Sequence, residues 1–289
     1  MASNEDAFFD VGIDGVDPTL LRLRSGEGRY FLFESESIAE HSIVLTRRTE
    51  SWQGTCAILG FDLGAEGELL PLPALPVRKL MFIGDSVTSG EMTAYEAGRT
   101  MTDKANSNAR LSYGMILARR LGAQCHLVSY GGRGLVRDWQ DYRDTRNAPQ
   151  FYELALPDDP AVRWDHQRYV PDAIGVQLGT NDFSPSIPDQ NEFLHSYVAF
   201  LRKLRRDAPQ ARVFIMDSPI VVDDPVEGLR RTALHAYLDQ IVRHVGDPKV
   251  MLAPLQHYPG VPANGHPTGR EHEAIAAELE PVFRQAFGW

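Results

Sequence analysis

From residue 77 onward, short apolar segments alternate with amphipathic ones, and this alternation constrains the fold more than any other feature. The apolar segments predict strands near residues 79–83, 125–129, 172–178, 212–216 and 249–253. The stretches between them predict helices over residues 112–121, 191–206, 226–245 and 268–286. Such an order forms right-handed βαβ units, in which the strands are parallel and helices cover both faces of the sheet. We therefore expect a three-layer α/β domain over residues 77–289.

Residues 1–76 have a different pattern, which predicts strands without helices. Apolar runs at Tyr30–Phe33, Ser42–Leu45 and Thr55–Leu59 are separated by Gly, Asp and Ser, and no helical period appears. This spacing is typical of a small β-sandwich. The three prolines between Pro71 and Pro76 hold the chain extended and predict a stiff linker. We therefore expect an N-terminal β domain over residues 1–76.

The tripeptide Gly84-Asp85-Ser86 comes directly after the first predicted strand of the α/β part. A serine at such a turn can be a nucleophile, and its own backbone N–H can face a developing oxyanion. An ordinary helix-capping serine would give the same short pattern. Ser86 is therefore a candidate that needs partners elsewhere in the chain.

Three later segments can supply those partners at the carboxyl edge of the sheet, where open α/β sheets bind ligands. Asn181 follows a predicted strand and offers a side-chain N–H, although a turn residue is the favoured interpretation of a lone asparagine after a strand. A glycine-rich segment, residues 129–134, offers a backbone N–H or is an ordinary turn. His266 precedes Pro267 at the start of the last predicted helix and can act as a base, or it can be a surface or capping residue.

The order and placement of these segments resemble the four sequence blocks of the SGNH (GDSL-type) esterases. The matching residues are Gly84-Asp85-Ser86, the glycine-rich segment, Gly179-Thr180-Asn181-Asp182 and His266-Pro267. The resemblance implies a flavodoxin-like fold with Ser86 as nucleophile and His266 as base. It also implies an oxyanion hole formed by the backbone N–H groups of Ser86 and Gly132 and by the side chain of Asn181. Gly132 is preferred over Gly131 as the matching glycine of its block.

A narrower resemblance is to the acetyl esterases of carbohydrate esterase family two. It is carried by Arg47-Arg48-Thr49-Glu50, by the residues from Pro171 to Ser184 and by the ending Phe287-Gly288-Trp289. That family joins an N-terminal jelly-roll domain to an SGNH domain, and it implies an acetylated xylan or glucomannan as the substrate. Another SGNH lipid esterase or thioesterase, or a carbohydrate-binding protein without turnover, remains an alternative.

One residue departs from the family pattern. SGNH enzymes usually carry an aspartate three residues before the histidine, and Ala263 occupies that position here. An aspartate there would fix the tautomer of the imidazole and stabilise its cation. Without it, we expect a backbone carbonyl to accept the hydrogen bond from Nδ1 of His266. Asn264 could supply a side-chain oxygen, but beside Gly265 it is more typical of a turn.

Other polar and aromatic side chains allow two interpretations each. Arg47, Arg48 and Glu50 either form an ion-pair contact between the two domains or lie on a solvated strand face. Trp139 and Trp164 either stack on sugar rings or belong to the core. We expect Asp85 and Asp182, which flank the candidate residues, to brace loops by accepting hydrogen bonds from backbone N–H groups.

The composition restricts partners and compartment. A net charge of −10 argues against nucleic acid, because phosphate binding needs a basic surface. No apolar run approaches the roughly 20 residues of a membrane span, and the acidic N-terminus does not resemble a signal peptide. Cys56 and Cys125 are expected to be free thiols, and the cytoplasm is the expected location, with secretion after removal of a leader as the alternative. No His, Cys, Asp and Glu residues have metal-ligand spacing, so we expect no metal or other cofactor. The oligomeric state is not predicted.

Overall fold

The computed structural model of the protein describes residues 1–36, 39–100, 102–262 and 264–289, and its N-terminal part consists of short strands. These strands are β1 (Ala2–Ser3), β2 (Ala7–Ile13), β3 (Thr19–Leu23), β4 (Gly26–Glu27), β5 (Ile43–Arg47) and β6 (Cys56–Ala57). They form two three-stranded antiparallel sheets, with the orders β4-β1-β6 and β3-β2-β5. Ala7, Phe9 and Leu23 form a small core beneath them. The prediction of a β-rich N-terminal part is confirmed.

One predicted strand of this part is wrong, and one pattern was missed. Tyr30–Phe33 contains no regular structure, and Phe31 is 77% exposed. The central strand is instead β2, whose sequence contains Asp10 and Gly12 among its apolar residues. An apolar run becomes a strand only where a neighbour can pair with it. The chain from Pro71 to Pro76 is exposed and free of helix and strand, and its stiffness stays a prediction.

The α/β part begins with β7 (Arg78–Gly84) and follows the predicted alternation. Its other strands are β8 (Ala123–Ser129), β9 (Ala173–Gln177), β10 (Arg212–Met216) and β11 (Val250–Leu252). Its helices are α1 (Ser86–Ser89), α2 (Tyr113–Arg120), α3 (Ala148–Phe151), α4 (Thr180–Phe183), α5 (Gln190–Asp207), α6 (Arg230–Val245) and α7 (Gly269–Phe287). The predicted strands and long helices are confirmed to within a few residues. The sequence did not predict the one-turn helices α1, α3 and α4.

The five strands β11-β10-β9-β7-β8 form one parallel sheet with a core on each face. Because side chains alternate along a strand, Leu80 and Phe82 pack with α2 and α7, whereas Met81 and Ile83 pack with α5 and α6. This is the three-layer arrangement expected from the sequence. Both strands that precede the candidate site, β7 and β9, are neighbours near the centre of the sheet.

Polar contacts join the N-terminal strands to the α/β part. Arg48 is 8% exposed, and its guanidinium donates to the backbone carbonyls of Ala105 and Ser107 at 2.9 and 3.2 Å. Asp10 of β2 accepts hydrogen bonds from Asn108 and Arg110 at 2.9 and 2.8 Å. Arg48 therefore contacts the other part of the chain, as one of its two interpretations held, but through backbone carbonyls, because its ion pair is with Asp10 of the same part at 3.4 Å. The boundary itself, between residues 76 and 77, stays a prediction.

Candidate active site

Ser86 lies buried at the carboxyl end of β7, as the first residue of α1. The backbone turns at Asp85, whose carboxylate accepts the N–H of Val87 at 3.0 Å. The N–H groups of a first helical turn have no partner within the helix, so the N–H of Ser86 is available to a ligand. The predicted bracing role of Asp85 is confirmed, and burial raises its pKa to about 6.

His266 comes to Ser86 from a loop 180 residues away in the chain, and its Nε2 lies 2.7 Å from Oγ of Ser86. Its carbonyl accepts the N–H of Val261 at 2.8 Å, and its N–H donates to Oδ1 of Asn264 at 3.2 Å. Asn264 is thus a turn residue, as its sequence context indicated. The capping box of Thr268 and Glu271 sets the start of α7 directly after the histidine.

The other ring nitrogen of His266, Nδ1, is the atom that the missing aspartate would accept a hydrogen bond from. This nitrogen is buried and has no hydrogen-bond partner within residues 1–36, 39–100, 102–262 and 264–289. Ala263 lies outside the described residues, and the expectation of a backbone carbonyl acceptor stays a prediction. Burial lowers the pKa of His266, and the nearby Asp85 opposes that change. The imidazole is therefore neutral at pH 7, which is the form that accepts a proton.

The glycine-rich segment and Asn181 face the same edge of the sheet. Asn181 is 6% exposed, and its Nδ2 donates to the carbonyl of Arg133 at 2.9 Å, which leaves its second N–H free for a ligand. Gly132 has φ +77°, and a Cβ there would lie 2.9 Å from Cδ1 of Trp139, so this position favours glycine. In the described part of the chain, no hydrogen bond of the Gly132 N–H is found.

Asp182 holds the residues after this glycine segment. Its buried carboxylate accepts the backbone N–H groups of Leu135 and Val136 at 2.9 and 2.8 Å, and that of Arg137 at 3.3 Å. The bracing role predicted for Asp182 is confirmed. Burial raises its pKa, whereas these N–H groups oppose the rise. The loop that contains Gly132 is thus anchored to α4, which contains Asn181.

Two acidic residues near the pair were not predicted as part of the site. Oε2 of Glu91 lies 3.6 Å from Nε2 of His266, and burial raises the pKa of this carboxyl. Glu91 could have been found from its position five residues after Ser86, just beyond α1. Glu50 belongs to a motif that the sequence singled out, but its contact with Gly131 at 2.7 Å joins residues 81 positions apart. No local pattern indicates such a contact.

Trp139 and Trp164 lie in different environments. Trp139 is 55% exposed and donates its backbone N–H to the carbonyl of Gly132 at 3.0 Å, so it lies beside the site rather than in the core. Trp164 is half-buried and packs edge-on against His126. An exposed aromatic face at the mouth of a site suits contact with a sugar ring.

Among the residues that the structure describes, potential metal ligands meet at one place that sequence spacing did not indicate. Glu153, His166 and Asp207 bring their ligand atoms within 4.8 Å of one another. The ammonium of Lys203 lies among them, 2.5 Å from Glu153 and 3.2 Å from Asp207. Lys203 therefore supplies the positive charge that a metal ion would otherwise bring to these carboxylates.

Among the described residues, no helix is both long and apolar enough to cross a membrane.

Comparison with known proteins agrees with this geometry. Residues 82–274 match the model of the GDSL-like lipase/acylhydrolase family, and residues 1–73 match that of the carbohydrate esterase 2 N-terminal domain. An acetylxylan esterase / glucomannan deacetylase of Cellvibrio japonicus is 38% identical over 100% of this chain and 79% of its own length.

Solved structures are similar over the whole chain. A family two carbohydrate esterase from Cellvibrio japonicus has a TM-score of 0.90 at 36% identity, covering 100% of this chain and 84% of that one. A family two carbohydrate esterase from Clostridium thermocellum in complex with cellohexaose has a TM-score of 0.90 at 28% identity, covering 100% and 88%. The chain therefore belongs to the GDSL-like (SGNH) lipase/acylhydrolase family and, within it, to the family two carbohydrate esterases.

Proposed function

We propose that this protein is a serine esterase that removes acetyl groups from acetylated carbohydrates through an acetyl-enzyme on Ser86. The observation that carries the proposal is the 2.7 Å contact between Oγ of Ser86 and Nε2 of a neutral His266. The relative named as an acetylxylan esterase / glucomannan deacetylase supports xylan- and glucomannan-type poly- or oligosaccharides as the substrate class.

In the first step, Nε2 of His266 takes the proton of Ser86 while Oγ attacks the acetyl carbonyl carbon. The carbonyl π electrons move to oxygen, which becomes an oxyanion. The imidazolium then gives its proton to the sugar oxygen as the bond from that oxygen to the acetyl carbon breaks. The products of this step are a free sugar hydroxyl and an acetyl ester on Ser86.

The oxyanion needs hydrogen-bond donors that are already in place. We assign the backbone N–H groups of Ser86 and Gly132 and the free side-chain N–H of Asn181 to this role. The open N–H of Ser86 at the start of α1 supports its part, and the Arg133 carbonyl, which fixes the amide, supports that of Asn181. Each such donor contributes on the order of 100- to 1,000-fold in rate.

In the second step, water replaces the sugar as the attacking group. His266 takes a proton from the water, whose oxygen attacks the acetyl carbon of the ester. The same donors hold the second oxyanion, and its collapse releases acetic acid and returns the proton to Oγ of Ser86. The carboxylate of Glu91 lies near Nε2 and favours the imidazolium that forms in both steps.

The test is acetate release from defined acetylated xylo- and manno-oligosaccharides. We expect Ser86→Ala and His266→Ala to abolish release while the thermal unfolding temperature stays near that of the wild type. Ser184→Ala and His195→Ala change exposed residues of the same types and should leave turnover unchanged.

The same assay separates the alternatives. A lipid esterase or thioesterase would prefer long acyl chains in a series of aryl esters, whereas a sugar deacetylase would prefer acetate. A carbohydrate-binding protein without turnover would release no acetate that depends on Ser86. Undiminished release by Ser86→Ala would refute the assignment of the nucleophile.

A further inference from the structure

Glu50 of the N-terminal part reaches into the catalytic edge of the α/β part. It follows β5 and starts the short turn of residues 51–53, where its backbone N–H is paired with the side chain of Gln53 at 3.0 Å. The residue is only 5% exposed, and Oε2 accepts the backbone N–H of Gly131 at 2.7 Å. A buried carboxyl group with a short bond to another domain's backbone constrains both partners.

The contact between Glu50 and Gly131 distinguishes the backbone N–H groups of the neighbouring glycines Gly131 and Gly132. The N–H of Gly131 points at Glu50, whereas that of Gly132 has no acceptor in the described part of the chain. A Cβ on Gly131 would lie 2.7 and 2.9 Å from the two carboxylate oxygens of Glu50. The position therefore requires glycine because the carboxyl group approaches the backbone so closely.

The charges around Glu50 make its burial costly. Burial, followed by the charge of Glu91, raises the pKa of Glu50 to about 7, and the Gly131 N–H together with the side chains of Trp52 and Ser89 opposes the rise. Glu50 in turn contributes to the raised pKa of Asp85, next to the nucleophile. Burial of an acidic group costs free energy, so the position of Glu50 calls for a compensating role.

We propose that Glu50 is a positioning residue of the oxyanion hole, whose carboxyl group holds Gly131 so that the N–H of Gly132 faces the reacting carbonyl. The inference rests on the proposed function, because it presupposes the donor role of Gly132. It assigns to the N-terminal part a share in the chemical step, through the hydrogen bond between Glu50 and Gly131.

The test compares Glu50→Ala with Glu50→Gln. The alanine variant leaves the Gly131 N–H without its acceptor, and we expect kcat for an aryl acetate to fall at least 10-fold with KM changed less than twofold. The glutamine variant keeps an acceptor oxygen and should retain kcat within about threefold. A role of the oxyanion hole changes kcat because the oxyanion exists only beyond the ground state.

Glu5→Ala is the matched control. Glu5 also joins the N-terminal part to the α/β part, through Lys104, but it does not contact the glycine segment. Its removal should leave kcat unchanged, so a general loosening of the two parts is distinguished from loss of the Gly131 contact. Thermal unfolding of each variant shows whether the fold is retained.

A second variant keeps the proposal testable if Glu50→Ala does not fold. Gly131→Ala places a methyl group against the carboxylate and should lower kcat as Glu50→Ala does. Wild-type kcat in either variant, an effect confined to KM, or an equal loss in Glu50→Gln would overturn the proposal. Ser86→Ala is measured in parallel, because acetate release by that variant would refute the proposed function itself, whereas failure of the Glu50 proposal leaves Ser86→Ala inactive.

Discussion

Asn181→Ala separates the chemical role of an amide from its structural role. The side chain makes one described hydrogen bond, from Nδ2 to the carbonyl of Arg133 at 2.9 Å. Its loss should lower the free energy of unfolding by about 1 kcal/mol. In the part of the chain that the structure describes, the second N–H of the same nitrogen has no hydrogen-bond partner. Its loss removes an oxyanion donor, which costs about 3 kcal/mol in the transition state, or roughly 100- to 1,000-fold in kcat.

The assay is steady-state hydrolysis of an aryl acetate, with urea unfolding of the same preparations. We expect kcat to fall by two to three orders of magnitude while KM changes little, because the ground-state carbonyl is bound weakly by this donor. Asn181→Asp is the matched variant, since it keeps the shape but replaces the donor with an acceptor. It should be at least as inactive.

The result that would refute this reasoning is a kcat within threefold of the wild type in Asn181→Ala. A large rise in KM at constant kcat would also refute it, because the amide would then bind the ground state and the transition state equally. A loss of kcat that merely follows a loss of folded protein would show in the urea transition.

Three further predictions concern acid–base groups. Because burial lowers the pKa of His266, kcat/KM should rise with pH through a pKa below the ordinary 6.5, and a rise whose midpoint lies above 6.5 would contradict this. The folded state binds the proton of Glu50 more tightly than the unfolded state does, because burial raises the pKa of this group to about 7. The free energy of unfolding of the wild type, measured in urea, should therefore fall relative to that of Glu50→Gln by about 3 kcal/mol as pH rises from 4.5 to about 7. A difference between the two proteins that does not change with pH would contradict the burial of this charge. Asp182→Asn should lower the free energy of unfolding by about 2 kcal/mol and also reduce kcat, since backbone N–H groups lose a charged acceptor; unchanged stability would show that the amide suffices.

The fold of the α/β part could be predicted because its signal is local. A strand such as β10 is a continuous apolar run, and α5 shows one apolar face, so each element is visible within a short window. The N-terminal part was harder, because β2 contains Asp10, whose partners Asn108 and Arg110 are about 100 residues away. Without those partners, an aspartate argues against a buried strand.

The candidate site also contains residues that could be predicted from the sequence and a contact that could not. Ser86, Asn181 and His266 follow from motifs at strand ends, because the carboxyl ends of parallel strands meet at one edge. The choice of Gly132 over Gly131 rests on resemblance in the sequence, and the structure adds that the N–H of Gly131 is bonded to Glu50. That bond depends on the arrangement of the two parts in space, which no short segment encodes.

The buried contact of Arg48 with the carbonyls of Ala105 and Ser107 has a consequence for protein engineering. When the N-terminal part is removed, these two carbonyls lose the donor that Arg48 supplies and must find another. We expect the α/β part expressed alone to expose the surface that Arg48 covers. A foreign N-terminal module fused in place of residues 1–76 would leave the same carbonyls without their donor. Directed evolution of substrate preference should therefore start from the full chain, with mutations at the rim near Trp139 rather than exchange of whole modules.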